Sequence, residues 1–351
     1  MKKVRHILTL STLCRIAVLI AAVFRFSAPA LASDAGPGAP RILFRISVEN
    51  MPEHVQTQAV RRFAQALAKE AGDVLRVEFH DSASLFRDAD VFSALTEGKA
   101  EMAVPGTWHI ARYQPDVNIF LLPMFYGRSA ADNHAVLQSE VGAELDRRIE
   151  DALDVKIPGK WLDLGHANLY ATGRPLNNLG DVKGLRIRVA GGEANIMRLQ
   201  AAGALAMSIP WPDFPLALAQ READGVLTTH ETIRSAKLWE NGLQYCLEDR
   251  EYFPMYAPMI SGRIWKLLPE GVRAVIARLW EETAGQERSL AALAQEEAKN
   301  DLLRHGVRIT VPSAKETADW RVRLSAFQDD IINKTGMDKA LYLRAVEILE
   351  K

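Results

Sequence analysis

The chain has 351 residues, with 43 Lys and Arg against 44 Asp and Glu, a net charge of −1, and 48% apolar residues. That length suits two domains of ordinary size, and the composition is that of a globular protein, not a disordered one. The charge balance, without a basic excess, argues against nucleic acid as a partner.

The N-terminus is set apart. Lys2, Lys3, Arg5 and Arg15 lead into an apolar run, Ile16 to Phe24, which ends near the small-x-small tripeptide Ala30-Leu31-Ala32. The run is too short for a membrane anchor, so residues 1–32 are expected to be a removed signal peptide. Cys14 lacks the context of a lipid-attachment site. Cleavage would remove five basic residues and no acid, taking the net charge from −1 to −6. Only Cys246 would remain, so an intrachain disulfide is excluded and the exported chain depends on its core.

Residues 33–40, rich in Gly, Ala and Pro, read as a flexible leader. Strand 42–48 comes next. Helix 52–69 carries a stripe of Val55, Ala59, Phe63, Ala66 and Leu67. Strand 74–80, a helix at 88–96 stopped by Gly98, and strand 100–104 complete a β-α-β-α-β run, which predicts parallel pairing with helices on the faces. A helix at 129–151, a strand at 156–164, and strands at 168–171 and 185–189 follow, the last two crossing into a second lobe. Helix 193–202, strand 203–209, helix 214–221 and strand 225–229 come after these. Residues 269–305 show helical periodicity without an internal proline. A helix of that length measures about 50 Å and would run along both lobes. Strand 307–311 and helices 317–334 and 338–349 close the chain.

No phosphate loop, GxGxxG, GxSxG or HExxH motif is present, and no histidines stand at metal-ligand spacing. Paired acids such as Glu281-Glu282 and Glu296-Glu297 read as a solvated helix face. No cofactor or metal is expected. The informative stretch is Gly180 to Val189, a turn feeding a strand. Leu185, Ile187 and Val189 take one face of it, and Arg186 and Arg188 the other. An arginine on a rigid strand presents a planar donor fork suited to a carboxylate. The alternative is an ordinary solvated face.

The order of segments resembles the DctP-type solute receptors of TRAP transporters. The carriers are Leu75 to Leu85 followed by Val91 to Gly98, then Leu121-Leu122-Pro123-Met124-Phe125, then Asp181 to Val189 against a family pattern DLKGLKIRVP. Gly203-Ala204 with Ile209-Pro210-Trp211, and Ala217-Leu218 with Ala223-Asp224-Gly225, complete the set. The resemblance implies an α/β, two-lobe periplasmic binding protein fold with hinge strands and a long helix spanning both lobes. Lobe I would be 41–171 with 254–293, and lobe II 172–253 with 294–351.

By the same resemblance Arg188 falls on the arginine that clamps the ligand carboxylate. Arg174, in Gly173-Arg174-Pro175, is a second candidate, Trp211 a wall over the ligand and Thr228 a polar contact where many members carry asparagine. Thr107 and Trp108, after the third strand, stand without the acid and arginine of sialic-acid-type members. Asn50 and His54 lie in the first βα loop, where α/β proteins often bind ligands. Each has a plainer reading: core packing for Trp108, Thr107 and Trp211, a salt bridge for Arg174, an ordinary strand position for Thr228, and capping or surface roles for Asn50 and His54. His109, His166 and His230 read as structural histidines, and Arg186 has no role in the family pattern.

The expected function is therefore a periplasmic receptor, not an enzyme. It would be a monomer that captures a small organic anion and delivers it to TRAP membrane permease subunits. An exported α/β enzyme acting on an anion, or a receptor for signalling, are the competing readings.

Overall fold

The computed structural model describes residues 40–351; the expected signal peptide, and the leader up to residue 39, lie outside the described residues. The first part of the chain alternates as the sequence pattern requires: β1 (Ile42–Ser47), α1 (Val55–Glu70), β2 (Leu75–His80), α2 (Val91–Glu97), β3 (Met102–Ala103) and the single-turn α3 (Thr107–Ile110). Gly98 ends α2 with φ 71°, a left-handed cap that suits glycine. β1 pairs in parallel with both β2 and β3, Phe44 opposite Val77 and Ile46 opposite Met102.

The predicted helix 129–151 is two helices, α4 (Ala130–Leu137) and α5 (Glu140–Leu153). Each has its own serine cap: Ser129 forms a capping box with Asp132, and the Ser139 hydroxyl accepts from the Val141 N–H. The predicted strand 156–164 also divides, into β4 (Val155–Lys156) and β5 (Leu162–Asp163), which lie in different sheets on either side of Pro158-Gly159.

The second part contains β6 (Ala167–Ala171), β7 (Arg186–Val189), α6 (Glu193–Ala201), β8 (Leu205–Ser208), α7 (Phe214–Ala219), β9 (Gly225–Thr228), α8 (His230–Ser235) and β10 (Tyr245–Tyr252). Next come β11 (Met255–Tyr256), β12 (Met259–Ser261), α9 (Gly262–Leu267), α10 (Glu270–Arg304), β13 (Arg308–Thr310), α11 (Ala314–Ser325), α12 (Gln328–Thr335) and α13 (Lys339–Leu349). The predicted helix 317–334 is thus interrupted at Ala326-Phe327.

Two main sheets result. The first has the order β2-β1-β3-β12-β4 and the second β13-β10-β6-β9-β7-β8, with a short β11-β5 ribbon besides. β6 belongs to the second sheet, pairing with β9 and β10, whereas the sequence division put it in the first lobe. The C-terminal helices, assigned from sequence to the second lobe, pack largely on elements before β6: α13 meets α4 and α5, and α11 meets the 3-10 turn Pro123–Phe125.

One feature joins the two halves. α10 has 35 residues, about 52 Å at 1.5 Å per residue. It packs on α1 and also on α8. Ala284, Ala291, Ala294 and Ala298 on its buried face allow close approach, and Trp280 meets Phe63 edge-on at 5.1 Å. Gln295 donates to the Leu164 carbonyl and accepts from the Glu231 N–H at 3.1 Å, so one side chain on α10 ties residues from both sides of β6.

Candidate functional site

The carboxyl ends of strands from both main sheets border one cleft, the place where open α/β sheets bind ligands. From the first sheet, β1 runs out into Glu49 and Asn50, the loop after β2 carries Asp88, and Trp108 and His109 follow β3. From the second sheet, β7 carries Arg188 and leads into Ala190, Trp211 follows β8, and Thr228 ends β9. Glu49, Asn50, Asp88, Trp108, Arg188, Trp211, Thr228, Tyr252 and Tyr256 line an inner cavity of about 30 Å³. An outer cleft of about 710 Å³ shares Glu49, Trp108 and Ala190 with it and extends past Arg87, His109, Arg112, Glu193 and Lys334.

Arg188 is the centre of the inner cavity. Its residue is 2% exposed, and its Nε donates to the Ile209 carbonyl at 2.8 Å. The guanidinium carbon lies 5.4 Å from the Trp211 ring centre and 5.3 Å from that of Phe214, two cation–π contacts that hold the fork in place. Arg188 makes no ion pair with any carboxylate among the described residues. Burial pushes its pKa down to about 10, against the pull of Glu49, so it is charged at neutral pH. A buried cation without a paired anion costs several kcal/mol unless a counter-charge arrives, which is the electrostatic signature of an anion site.

The other wall is acidic. Glu49 accepts the Asp88 N–H at 3.2 Å, and Asp88 accepts the Gly106 N–H at 3.3 Å. Burial raises the Glu49 carboxyl despite the Asp88 N–H and the Arg188 charge. Burial and then the Glu49 charge push Asp88 well above the ordinary carboxylate range. The His109 ring is pushed down to about 4 by burial and by Arg188, which leaves it neutral. Glu49, Asp88 and His109 bring ligand atoms within 4.8 Å of one another, the one cluster among the described residues with the spacing to hold a cation.

Of the residues expected from sequence, Arg188, Trp211, Thr228, Trp108 and Asn50 meet at the inner cavity. Trp108 packs edge-on against Tyr256 at 5.5 Å, and its indole N–H has no protein acceptor. Asn50 donates to the Gln56 side-chain amide oxygen Oε1 at 2.8 Å and to the Tyr256 hydroxyl at 2.9 Å. The other three lie elsewhere. Thr107 is fully buried and lines neither the inner cavity nor the outer cleft. His54 is a structural residue: its Nδ1 accepts the Gln56 N–H at the start of α1, and its Nε2 sits 3.0 Å from Glu231. Arg174 is exposed and donates to the carbonyls of Asp181 and Lys183, which fixes the turn before β7 instead of reaching the cleft.

Arg186 is also resolved. It forks onto Asp224, Nη2 to Oδ1 2.7 Å and Nε to Oδ2 3.0 Å, and donates to the Arg221 carbonyl. Parity places both arginines on one face of β7. Asp224 and the Arg221 carbonyl take up the first, and the cleft takes the second. Sequence reasoning missed Glu49, Asp88, Tyr252 and Tyr256. Glu49 stood in the very loop that supplied Asn50, and the Tyr252-Phe253-Pro254-Met255-Tyr256 run was a visible aromatic cluster without an assigned element.

The described residues include no helix long and apolar enough to cross a membrane. Among curated relatives, the chain is 23% identical over 293 residues to the 2,3-diketo-L-gulonate-binding periplasmic protein YiaO of Escherichia coli K12, covering 84% of this chain and 86% of that one. It is 22% identical over 324 residues to the C4-dicarboxylate-binding periplasmic protein DctP of Rhodobacter capsulatus, covering 91% and 93%. In fold it matches the sugar acid binding protein DctPAm of Advenella mimigardefordensis in complex with galactonate, with a TM-score of 0.82 at 20% identity over 88% of this chain and 98% of that one. It also matches a TRAP periplasmic solute binding protein from Sulfurospirillum deleyianum with bound succinate, with a TM-score of 0.80 at 19% identity over 87% and 98%. The two-lobe α/β architecture is common to them. Residues 46–335 match the DctP family, bacterial extracellular solute-binding protein family 7, and the chain belongs to that family.

Proposed function

We propose that this protein is the solute receptor of a TRAP transporter, that it acts in the periplasm, and that Arg188 binds the carboxylate of a small organic acid. The observation that carries this is the buried guanidinium of Arg188, clamped by Ile209, Trp211 and Phe214, lining the cavity and in ion-pair contact with no carboxylate among the described residues. The inner cavity, about 30 Å³, shares Glu49, Trp108 and Ala190 with the outer cleft of about 710 Å³. A carboxylate would reach Arg188 past these shared residues, with the rest of the solute in the outer cleft. Solute enclosed between the two strand edges is removed from water, which strengthens the arginine contact. Membrane permease subunits would then receive the solute, and the receptor would act as a monomer. Arg174, Thr107 and His54 are outside this reading, for the contacts given above.

Titration calorimetry on the mature protein, over a panel of mono- and dicarboxylates, keto acids and sugar acids, tests the proposal. An organic acid that binds the parent should bind Arg188→Ala at least ~30-fold more weakly, since removing one partner of a buried charge pair costs ~2–5 kcal/mol. Unchanged affinity in Arg188→Ala would refute the arginine contact. Turnover of the bound acid, followed by NMR, would favour the enzyme reading over a receptor.

A further inference from the structure

Related receptors hold both dicarboxylates and sugar acids, so family membership leaves the class of acid open. The cleft of this chain has an asymmetry that bears on it. The second-sheet wall offers one buried cation, Arg188. The first-sheet wall offers two carboxyl groups, Glu49 and Asp88; the Glu49 charge raises the proton affinity of Asp88, and the Asp88 backbone N–H donates to Glu49. Neither acid has an ion-pair partner among the described residues. Arg87, the cation nearest by sequence to Asp88, is turned outward onto Asp213.

Glu49 and Asp88 bring carboxyl oxygens within 4.8 Å of one another, and the buried Asp88 holds its proton more tightly than a free carboxyl does. The pair then presents one O–H donor and several acceptor lone pairs on the same wall. A solute hydroxyl is also one donor and two acceptors, and it can satisfy both kinds of site at once. A second carboxylate there would meet the like charge of Glu49 at close range, which disfavours it. The neutral ring of His109, within 4.8 Å of both acids, adds a further polar atom without adding a positive charge to offset them. A divalent cation fits less well. Three protein ligand atoms fall short of the six to eight oxygens calcium takes, and each acid already accepts a backbone N–H.

We infer that Glu49 and Asp88 read a hydroxyl group, so that the bound solute is a hydroxylated monocarboxylate of the aldonate or uronate type and not a short dicarboxylate. This rests on the reading of Arg188 as the carboxylate clamp. The remaining cations of the cleft, Arg112 and Lys334, are solvated residues of the outer part and do not face the inner cavity.

The test is calorimetry on the mature protein, unfolded and refolded to strip bound solute, in buffer with EDTA. Gluconate, galactonate and glucuronate are compared with succinate and glutarate, against the parent, Glu49→Gln, Asp88→Asn and Arg188→Ala. Circular dichroism confirms that each variant is folded. The parent is expected to bind at least one hydroxylated acid tenfold or more tightly than either dicarboxylate. Glu49→Gln or Asp88→Asn should reduce that ratio at least fivefold, chiefly by weakening the hydroxylated acid. If succinate or glutarate binds the parent as tightly as every hydroxylated acid, and Arg188→Ala abolishes it, the hydroxyl reading fails and the arginine reading stands. If Arg188→Ala binds as the parent does, the arginine reading fails as well. Binding that appears only with calcium in place of EDTA, and is lost in Glu49→Gln, would make the cluster a cation site and overturn the inference. Failure of every probe to bind the parent overturns both readings.

Discussion

Arg87 and Asp213 meet in a bidentate pair at the rim of the cleft, Nη1 to Oδ2 at 2.8 Å and Nη2 to Oδ1 at 3.1 Å. Arg87 follows β2 of the first sheet, and Asp213 follows β8 of the second, so the pair joins the two walls. Both side chains are about half exposed, and the pair is open to screening by salt. Asp213→Ala should weaken solute binding by only about two- to fivefold at low ionic strength. The difference should vanish near 1 M salt, where the Debye length falls to about 3 Å. Calorimetry at two salt concentrations measures this. An effect that persists at high salt would show that the pair holds the walls together by more than charge.

The two arginines of β7 should separate cleanly by mutation. Arg186→Ala breaks only the fork to Asp224 and the contact with the Arg221 carbonyl, so solute affinity should stay within about twofold of the parent. Arg188→Lys keeps the charge but loses the planar fork and part of the stacking on Trp211 and Phe214. Affinity should fall by about tenfold or more. Equal effects at the two positions would contradict the placement of Arg188 alone at the cavity.

A pH dependence of stability follows from the His54–Glu231 contact. Burial raises Glu231 from 4.5 to about 7, so the folded chain keeps a proton that the unfolded chain releases. That stabilising contribution is complete below pH 4.5 and is lost as pH rises through 7. His54 runs the other way. Burial lowers it from 6.5 to about 3, so its contribution is present above pH 6.5 and is lost as pH falls toward 3. Between pH 4.5 and 6.5 the two slopes oppose each other. Glu231→Gln removes one of them, and its stability relative to the parent should rise from pH 5 to pH 8, by at most about 3 kcal/mol. Urea unfolding at the two pH values measures this, and a constant difference would exclude the titration of Glu231.

Gly225 begins β9 between β6 and β7. A Cβ there would lie 2.0 Å from the Tyr170 carbonyl oxygen and 2.9 Å from Ile187 Cδ1. The first of these atoms is backbone in a paired strand and has nowhere to go. Gly225→Ala should destabilise the fold by about 2–4 kcal/mol, visible as a lowered Tm. An unchanged Tm would mean the second sheet yields more easily than its pairing implies.

How much of this could be read from sequence depended on whether local signals and tertiary contacts agreed. Strand β7 was legible because its apolar residues alternate, and the Arg188 fork was legible because a known pattern coincided with that alternation. The split between α4 and α5 had a signal, Ser139-Glu140, that the continuous apolar stripe outweighed. β10 gave none. Its Glu248-Asp249-Arg250-Glu251 run has no apolar alternation and predicts no element, yet Asp249 and Glu251 are fully buried. Asp249 accepts the Tyr126 hydroxyl at 2.5 Å, and Glu251 pairs with Arg198 at 2.9 Å, partners more than 50 residues away. Arg250, at φ 52°, lies in the stretch of β10 where the register shifts and breaks the expected alternation. Glu49 and Asp88 escaped notice for a related reason. A carboxylate just past a strand end looks the same in sequence whether it faces water or a cleft.

The 35-residue α10 bears on how such a receptor can change. One residue added near its middle would turn everything beyond it by about 100° and advance it by about 1.5 Å. Gln295 would then leave Leu164 and Glu231, and the places of the buried Ala291, Ala294 and Ala298 would be taken by Leu290, Leu293 and Glu297. The two halves of the cleft would go out of phase. Loops at the strand ends can be rewritten one residue at a time to suit a different solute. The helix behind them acts as a fixed ruler, which tolerates substitution far better than a change of length.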